Sequence, residues 1–424
     1  MNQSGNGMNA CRADIAVIGA GASGLTAAVA AARGGASVVL LERTPVSGKK
    51  ILSTGNGRCN FTNELQRPDC YRSDDADRIT AALARFSWRD SVNFFAELGV
   101  PTTVRDGYCY PRSGQASAIR DALLGELRRL AVHTVFRADI QSIRREDVGF
   151  CILTGAGEVT ARRCILATGG MAAPKTGSNG SGYALARGLG HTVNRPLPAL
   201  VPLVSSEEWL SVTAGVRCAG RVSLSVDGET EAEDTGEIQF TEYGVSGIPV
   251  FQVSRFASAA LADERRVEVR IDFLPELSAE DVRGMLSKQV SDCGSVKNWQ
   301  QILGGLCHKK IAQMIAQRLR LSDDPVGRLP EYAVRKQSEK ILHLLKNTAL
   351  CITGTRSFDQ AQTTCGGVPL SQIGEDMQSK ITPGLYFAGE ILNVDGICGG
   401  YNLQWAWTSG YLAGTCAAAA LREA

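Results

Sequence analysis

None of the thirteen cysteines forms a C-x-x-C pair, and the four histidines, His133, His191, His308 and His343, show no metal-ligand spacing. A dithiol redox centre needs two neighbouring thiols and a zinc site needs clustered ligands, so neither is expected, and no metal is assigned. The cysteines sit largely in apolar runs, as at Cys151, Cys164 and Cys351, which is the pattern of reduced thiols in a cytoplasmic protein. Net charge is also missing, since 45 Lys and Arg face 43 Asp and Glu to leave +2. Binding to a phosphate backbone draws on a one-sided basic field, so no nucleic-acid partner is expected. The pairs Arg144-Arg145, Arg162-Arg163 and Lys309-Lys310 read as solvated surface. Long apolar runs are absent as well. The Ala-rich stretches 25–32 and 410–421 are too short or too interrupted to span a bilayer, so no membrane partner is expected. Met1 to Arg12 is polar, without a signal-peptide core, and reads as a frayed tail. There is no internal repeat.

What is present is an ordinary globular composition, 44% apolar and 21% charged over 424 residues, enough for two or three packed domains. Residues 14–18 are a short apolar run, 22–33 are Ala-rich and helical, Gly34-Gly35 ends the helix, and 37–41 are β-branched. A helical block at 77–98 precedes Pro101. Another at 117–130 leads into a strand over 134–143, and 164–167 reads as a buried strand. From 195 the texture changes: prolines punctuate it, and runs 221–226 and 266–271 alternate as half-buried antiparallel strands do. Residues 278–343 turn helical, with Ile311, Met314, Ile315 and Leu319 on one face. A buried strand at 385–388 and an amphipathic helix after Tyr401 then resume the first texture. The fold class is therefore α/β, a Rossmann-type domain built from both chain ends and interrupted by a β-rich domain and a small helical domain. The expected boundaries are 10–195 and 349–424 for the two parts, 196–277 for the β-rich insertion and 278–348 for the helical one.

The run Gly19-Ala20-Gly21-Ala22-Ser23-Gly24 joins the first strand to the first helix, the context in which a G-x-G-x-x-G binds a dinucleotide. Gly19 permits the tight turn, Gly21 admits a pyrophosphate and Gly24 lets helix and strand pack closely. Glu42, at the end of the next strand, is placed to accept hydrogen bonds from an adenosine ribose and argues against a 2′-phosphate there. Residues 48–60 follow as a glycine-laced loop with three cations, suited to phosphates and a polar ring edge. Residues 384–390 form a buried strand ending in Gly389-Glu390, and Gly399-Gly400 precedes the helix that begins near Tyr401. A helix amino end facing a planar ring stabilises charge on a reduced flavin, whereas nicotinamide gains little from it. Ala167-Thr168-Gly169 ends a third buried strand where the chain passes close to a dinucleotide. Residues 177–182, GSNGSG, lack a preceding strand and are read as a loop, so no second nucleotide domain is expected.

With these motifs the chain resembles the BaiN/RdsA-like flavoproteins, also called the YhiN or aminoacetone oxidase family, of bacterial FAD-dependent oxidoreductases. The resemblance covers nearly the whole chain through the glycine fingerprint and residues 48–63, 167–170, 240–247, 364–368 and 384–410. It implies that Gly19, Gly21, Ala22, Ser23, Gly24, Glu42 and Arg43 hold the ADP half of FAD, with backbone near Ile140 at the adenine. It further implies that Lys49, Lys50, Ser53, Asn56, Gly57, Arg58, Cys59, Asn60, Ala167, Thr168, Gly169, Gly389, Glu390, Gly400, Tyr401, Asn402 and Leu403 surround the remainder. Two segments depart from the family pattern. Phe240-Thr241-Glu242-Tyr243-Gly244-Val245-Ser246-Gly247-Ile248 stands where Phe-Thr-His-x-Gly-x-Ser-Gly-Pro is expected, and Leu392-Asn393 replaces Leu-Asp.

Flavin chemistry needs a positioned substrate and a proton source, for which Tyr401, Tyr243, Glu242 and Cys365 are the candidates. The expected reaction is NAD(P)H-linked reduction of an activated C=C bond of a small molecule, such as an enone of the steroid or bile-acid type, by hydride transfer from flavin N5. NAD(P)H is expected as a transient electron donor. An amine oxidase that makes peroxide and a non-catalytic flavin-holding or redox-sensing module are the alternatives.

Overall fold

Short β-branched runs flanking an Ala-rich helix build one face of a mixed sheet in the computed structural model, which describes residues 11–155 and 157–422. The chain divides into two compact units, one comprising the chain up to Leu197 and from Gln362 onward, the other Pro198–Ala361. Residues 1–10 of the expected frayed tail lie outside the described residues. Cys11 and Arg12 are not frayed: they open the strand Cys11–Ile18 and pair with Val159 and Thr160.

In the first unit, Cys11–Ile18 runs parallel to Val38–Glu42 on one side and to Gly157–Leu166 on the other, and His133–Phe136 extends the sheet beyond Val38–Glu42. The strand Gly157–Leu166 carries two different partners along its length. Its first half pairs antiparallel with Gly149–Thr154, while Cys164, Ile165 and Leu166 pair parallel with Leu385, Tyr386 and Phe387. The C-terminal segment is thus laid beside the N-terminal fingerprint, which is the two-ended Rossmann arrangement expected from the motifs.

The helix Ala22–Arg33 ends as expected at Gly34. Other boundaries differ for identifiable reasons. The block 77–98 is two helices, Ala76–Arg85 and Trp88–Glu97, because Ser87 and Asp90 form a reciprocal capping box. The Phe86 carbonyl released by the break accepts from Gln404 Nε2 at 3.3 Å and Thr408 Oγ1 at 2.7 Å. The run 134–143 is likewise two strands, His133–Phe136 and Ile140–Glu146, separated by Arg137 at φ 57°.

The helix Tyr401–Ala419 is not amphipathic: 13 of its 19 residues are buried, on all faces. Small residues make this possible. A Cβ on Gly410 would overlap the Ser23 carbonyl, and one on Gly414 would overlap the Ala27 carbonyl and lie 2.9 Å from the Ala30 Cβ. The two helices therefore touch backbone to backbone, and the polar groups at the buried faces are paired, as Gln404 is with Thr62 Oγ1 at 2.6 Å.

The second unit is a closed six-stranded barrel in the order Leu203–Ser205, Gly244–Gly247, Glu229–Thr241, Arg217–Val226, Val267–Asp272 and Thr348–Thr355. The alternation read at 221–226 and 266–271 is an antiparallel pair with Val222 opposite Ile271 and Leu224 opposite Val269. One apolar core holds these side chains together with Ile311, Met314 and Ile315 of the helical stretch, and Leu319 packs at its margin. A helix that the pattern did not announce, Ile248–Ala262, packs on the barrel. Among the described residues no helix is long and apolar enough to cross a membrane.

Replacing Gly414 with Leu forces side-chain volume between two backbones that already touch, a change expected to cost about 1–3 kcal/mol. A urea midpoint indistinguishable from that of the parent would refute this account of the helix contact.

Candidate functional site

The fingerprint turn is held by its surroundings. Gly19 has φ of 100°, and a Cβ on it would lie 2.5 Å from the Ala167 carbonyl oxygen, so only glycine lets the turn pass the next strand end. Gly21 differs, because its φ of −82° and ψ of −168° suit any residue and nothing lies within 4 Å of a Cβ built there. The space is open, beside the amino end of a 12-residue helix that no side chain caps and whose first turn holds no acid. Ala22, Ser23 and Gly24 supply that end. Free N–H groups with an unneutralised positive dipole make it a cradle for a phosphate.

Glu42 sits at the end of Val38–Glu42, almost buried. Its Oε2 accepts from Ala20 N at 2.8 Å and its Oε1 from Thr44 N at 2.7 Å, which orients the carboxylate beside the turn. Lone pairs remain for two ribose hydroxyls. Ala138 N donates to the Glu42 carbonyl at 2.9 Å, which brings the segment before Ile140 to the same end. Arg43 donates to the Gly177 carbonyl at 3.0 Å, and Lys49 Nζ to the Lys175 carbonyl at 3.0 Å. Both cations therefore hold the loop around Gly177 against this end.

Gly48 N donates to the Ala20 carbonyl at 2.8 Å and so fixes the cationic loop to the fingerprint. Ser53 Oγ donates to the Lys50 carbonyl at the end of the short helix Lys49–Ser53, and Gly55 and Asn56 then both turn left-handed. Asn56, Gly57 and Arg58 are exposed on this turn, whereas Cys59 is fully buried. Burial pushes the Cys59 thiol up to about 12, so at neutral pH it is a neutral packing group.

The C-terminal contribution enters where Ala388 N donates to the Leu166 carbonyl at 3.0 Å and Gly389 N to Ser409 Oγ at 2.9 Å. Glu390 is gripped from two directions, by Thr364 N on Oε1 at 2.9 Å and by Lys50 Nζ on Oε2 at 2.7 Å. Lys50 thus pairs with a carboxylate of the site itself. Gly400, at φ 94°, lies against the Thr62 backbone and starts the 19-residue helix, again with no side-chain cap and no acid in the first turn. Asn402 closes its amide on Gly396 in both directions at 2.8 Å, leaving its backbone N–H, with that of Leu403, at the helix end.

Of the four proton-source candidates, Tyr401 is 3% exposed and packs edge-on to Tyr71 at 5.7 Å between ring centroids. Burial first, and then the neighbouring Cys70, push its phenol well up, so it holds its proton. Cys365 is buried in Thr363–Gly367. Glu242 and Tyr243 belong to the second unit, where they form the turn between two barrel strands, and the Arg356 guanidinium lies 4.6 Å over the Tyr243 ring.

Buried atoms without partners test whether FAD fits. Among the described residues six buried side-chain atoms have no partner; three of them, Ser47 Oγ, Asn60 Oδ1 and Thr168 Oγ1, lie in or beside the segments expected at the cofactor, while Ser91 Oγ, Thr102 Oγ1 and the Tyr386 hydroxyl do not. Such atoms are rare in folded proteins. With two uncapped helix ends, Gly21's open space and the fixed Glu42 and Glu390, the first three form a donor and acceptor set that fits a dinucleotide with a polar ring. Thr364 and Ser409 are supporting residues that the pattern did not single out. Ser409 was detectable only as a hydroxyl in an apolar helix, and Thr364 carries Met171 N and Ala172 N on its Oγ1 at 2.8 and 3.0 Å.

Gly21→Val separates cradle from fold: as a change at a helix N-cap it is expected to cost the apoprotein about 1 kcal/mol, while FAD affinity drops by about tenfold or more. Unchanged flavin affinity by titration would remove the phosphate cradle. A second expectation concerns alkali. Cys59 and Cys164 are pushed from 9.0 to about 12 by burial, so the folded chain holds these protons more tightly than the unfolded one. Their stabilisation is complete below pH 9 and is lost as pH rises toward 12. Alkylation followed by mass spectrometry at pH 8 should label exposed Cys351 and spare Cys59; equal labelling contradicts the burial.

Comparison with known proteins bears out the resemblance. Over 408 residues, 95% of this chain and 98% of the relative, it is 42% identical to the 3-dehydro-bile acid delta(4,6)-reductase of Clostridium scindens. It is 30% identical over 407 residues, 94% of this chain and 96% of the relative, to the ribosomal RNA dihydrouridine synthase of Escherichia coli K12. The 3-ketosteroid-delta4-(5alpha)-dehydrogenase of Rhodococcus jostii RHA1 shares the fold, with a TM-score of 0.53, 17% identity, and coverage of 97% of this chain and 98% of that one. The family described as the HI0933-like protein Rossmann domain matches residues 13–416, and the chain belongs to it.

Proposed function

We propose that this FAD-dependent oxidoreductase reduces a carbon–carbon double bond conjugated to a carbonyl, with NAD(P)H as transient electron donor and a small enone of the steroid or bile-acid type as acceptor. The observation that carries the reading is the presence in one unit of two uncapped helix amino ends, at Gly21 and Gly400, on helices that touch backbone to backbone, with the Lys50–Glu390 ion pair joining segments beside them. The 42% identity to a bile-acid reductase supports the acceptor class.

Bound FAD would supply two-electron transfer at its N5. The chain's own work is then electrostatic and positional. The Gly400 helix end would offer N–H groups to negative charge on a bound flavin ring, and Glu390, oriented by Thr364 and Lys50, would hold a ribityl hydroxyl. Fixed dipoles of this kind need no reorganisation when charge develops. Saturating the double bond also needs a proton. Tyr401 keeps its own through burial, and Cys365 is the other group of the first unit that we assign to that role.

A second reading has a specific observation behind it, the 30% identity to an rRNA dihydrouridine synthase. A uracil C5=C6 bond is also conjugated to a carbonyl, so the same chemistry would serve with an RNA acceptor. The near-neutral net charge favours the small molecule.

The deciding experiment is anaerobic stopped-flow reduction of the bound flavin by NADH and by NADPH, followed by reoxidation with an enone panel, an unmodified rRNA fragment or oxygen. Rapid reoxidation by enones supports the proposal and by rRNA the second reading. Peroxide formation with small amines and no need for nicotinamide would make it an oxidase. Silence with every donor and acceptor would leave a flavin-holding or redox-sensing module.

A further inference from the structure

Within the first unit, Thr62–Asn63, Tyr108–Pro111 and Thr102–Arg105 form a three-stranded antiparallel sheet. This sheet abuts the Gly399-Gly400 turn. Asn63 Nδ2 donates to the Gly399 carbonyl at 3.1 Å, and a Cβ on Gly399 would lie 3.0 Å from Tyr108 Cε1. Beside it opens a cavity of about 460 Å³ whose lining includes Arg58, Arg105, Arg112, Asp106, Tyr108 and Tyr110.

The cavity carries an excess of positive charge on three exposed arginines. Three guanidinium groups face one carboxylate, and among the described residues none of the three arginines is ion-paired, whereas Arg67 and Arg120 nearby in sequence each have an aspartate. Arg58 and Arg105 both pull against the rise that burial gives the Tyr110 phenol, so the two cations converge on one point from different segments. Like charges gathered this way repel, and a bound anion relieves the repulsion. Guanidinium forks match the planar oxygens of phosphate and carboxylate, and the two tyrosines add hydroxyl donors and apolar ring faces.

We propose that this cleft binds the oxyanion of a small molecule, phosphate or carboxylate, whose reactive part reaches the Gly399-Gly400 turn. The placement of the reactive part rests on the proposed function, in which that turn borders the flavin ring; the anion binding does not. The oxyanion has two possible sources, a phosphate of the nicotinamide donor or a carboxylate tail on the acceptor.

The test uses the FAD-loaded protein, the double variant Arg105→Glu with Arg112→Glu, and Arg128→Glu, an exposed helix position, as the charge control. Calorimetric titration with inorganic pyrophosphate needs no turnover. The parent and the control are expected to bind it with salt-sensitive affinity and the double variant about tenfold more weakly or not at all. In steady state, a KM for NADPH raised about tenfold, with the acceptor KM unchanged, identifies the donor as the source. A raised KM for a carboxylated enone but not for its methyl ester identifies the acceptor. Equal pyrophosphate binding by parent and double variant overturns the proposal, as does an unchanged KM for donor and acceptor alike in an active enzyme. Loss of pyrophosphate binding in a protein that reduces no enone would instead uphold the cleft and sink the proposed reaction.

Discussion

The contact between two helices from opposite ends of the chain is the constraint on which the site depends. Gly410 and Gly414 present bare backbone to Ser23 and Ala27, so Tyr401–Ala419 lies directly on Ala22–Arg33. Beside this contact Ser23 Oγ donates to the Ala388 carbonyl at 3.3 Å, and Gly389 N donates to Ser409 Oγ of the second helix at 2.9 Å. Close approach of small residues carries no directional bond, but it seats the two helices whose amino ends border the site directly on one another. The second unit folds around an apolar core of its own, so an insertion of this size leaves the helix contact to the first unit alone.

Charge in this protein is arranged locally rather than in total. A net +2 conceals two helix amino ends without acids, a Lys50–Glu390 pair inside the site, and one cleft whose three arginines have no ion pair among the described residues. The Lys50–Glu390 pair shows how this works. Both side chains are about one quarter exposed or less, so the pair is worth less as stabilisation than as a fixed geometry joining residues 340 positions apart. Composition alone reads such a chain as electrically bland, because summation discards position.

The parts of the fold and site legible in the sequence were those governed by near neighbours. Gly19 needs a positive φ and Gly24 a close packing surface, Glu42 follows a strand of fixed length, and residues 22–33 are Ala-rich with Gly34 at their end. The break at Ser87 had a local sign, the Ser87 and Asp90 box, but its other half is the Phe86 carbonyl bonded to Gln404 and Thr408, more than 300 positions away. Ile248–Ala262 escaped notice for a different reason. It lies among strands whose alternation dominates the texture, and a mostly buried helix has weak periodicity of its own.

By itself, then, the sequence determined that a Rossmann-type glycine turn exists, that an acid ends the strand after it, and that the C-terminal stretch returns to the same domain. These are matters of backbone dihedral preference and residue spacing, which neighbours along the chain impose. Tertiary structure alone decided that Asn402 closes on Gly396, that Lys50 meets Glu390, that Tyr401 is buried against Tyr71, and that Arg58, Arg105 and Arg112 share one cleft. Each of those outcomes depends on which surfaces pack, and packing brings together residues whose separation along the chain carries no record of their distance in space.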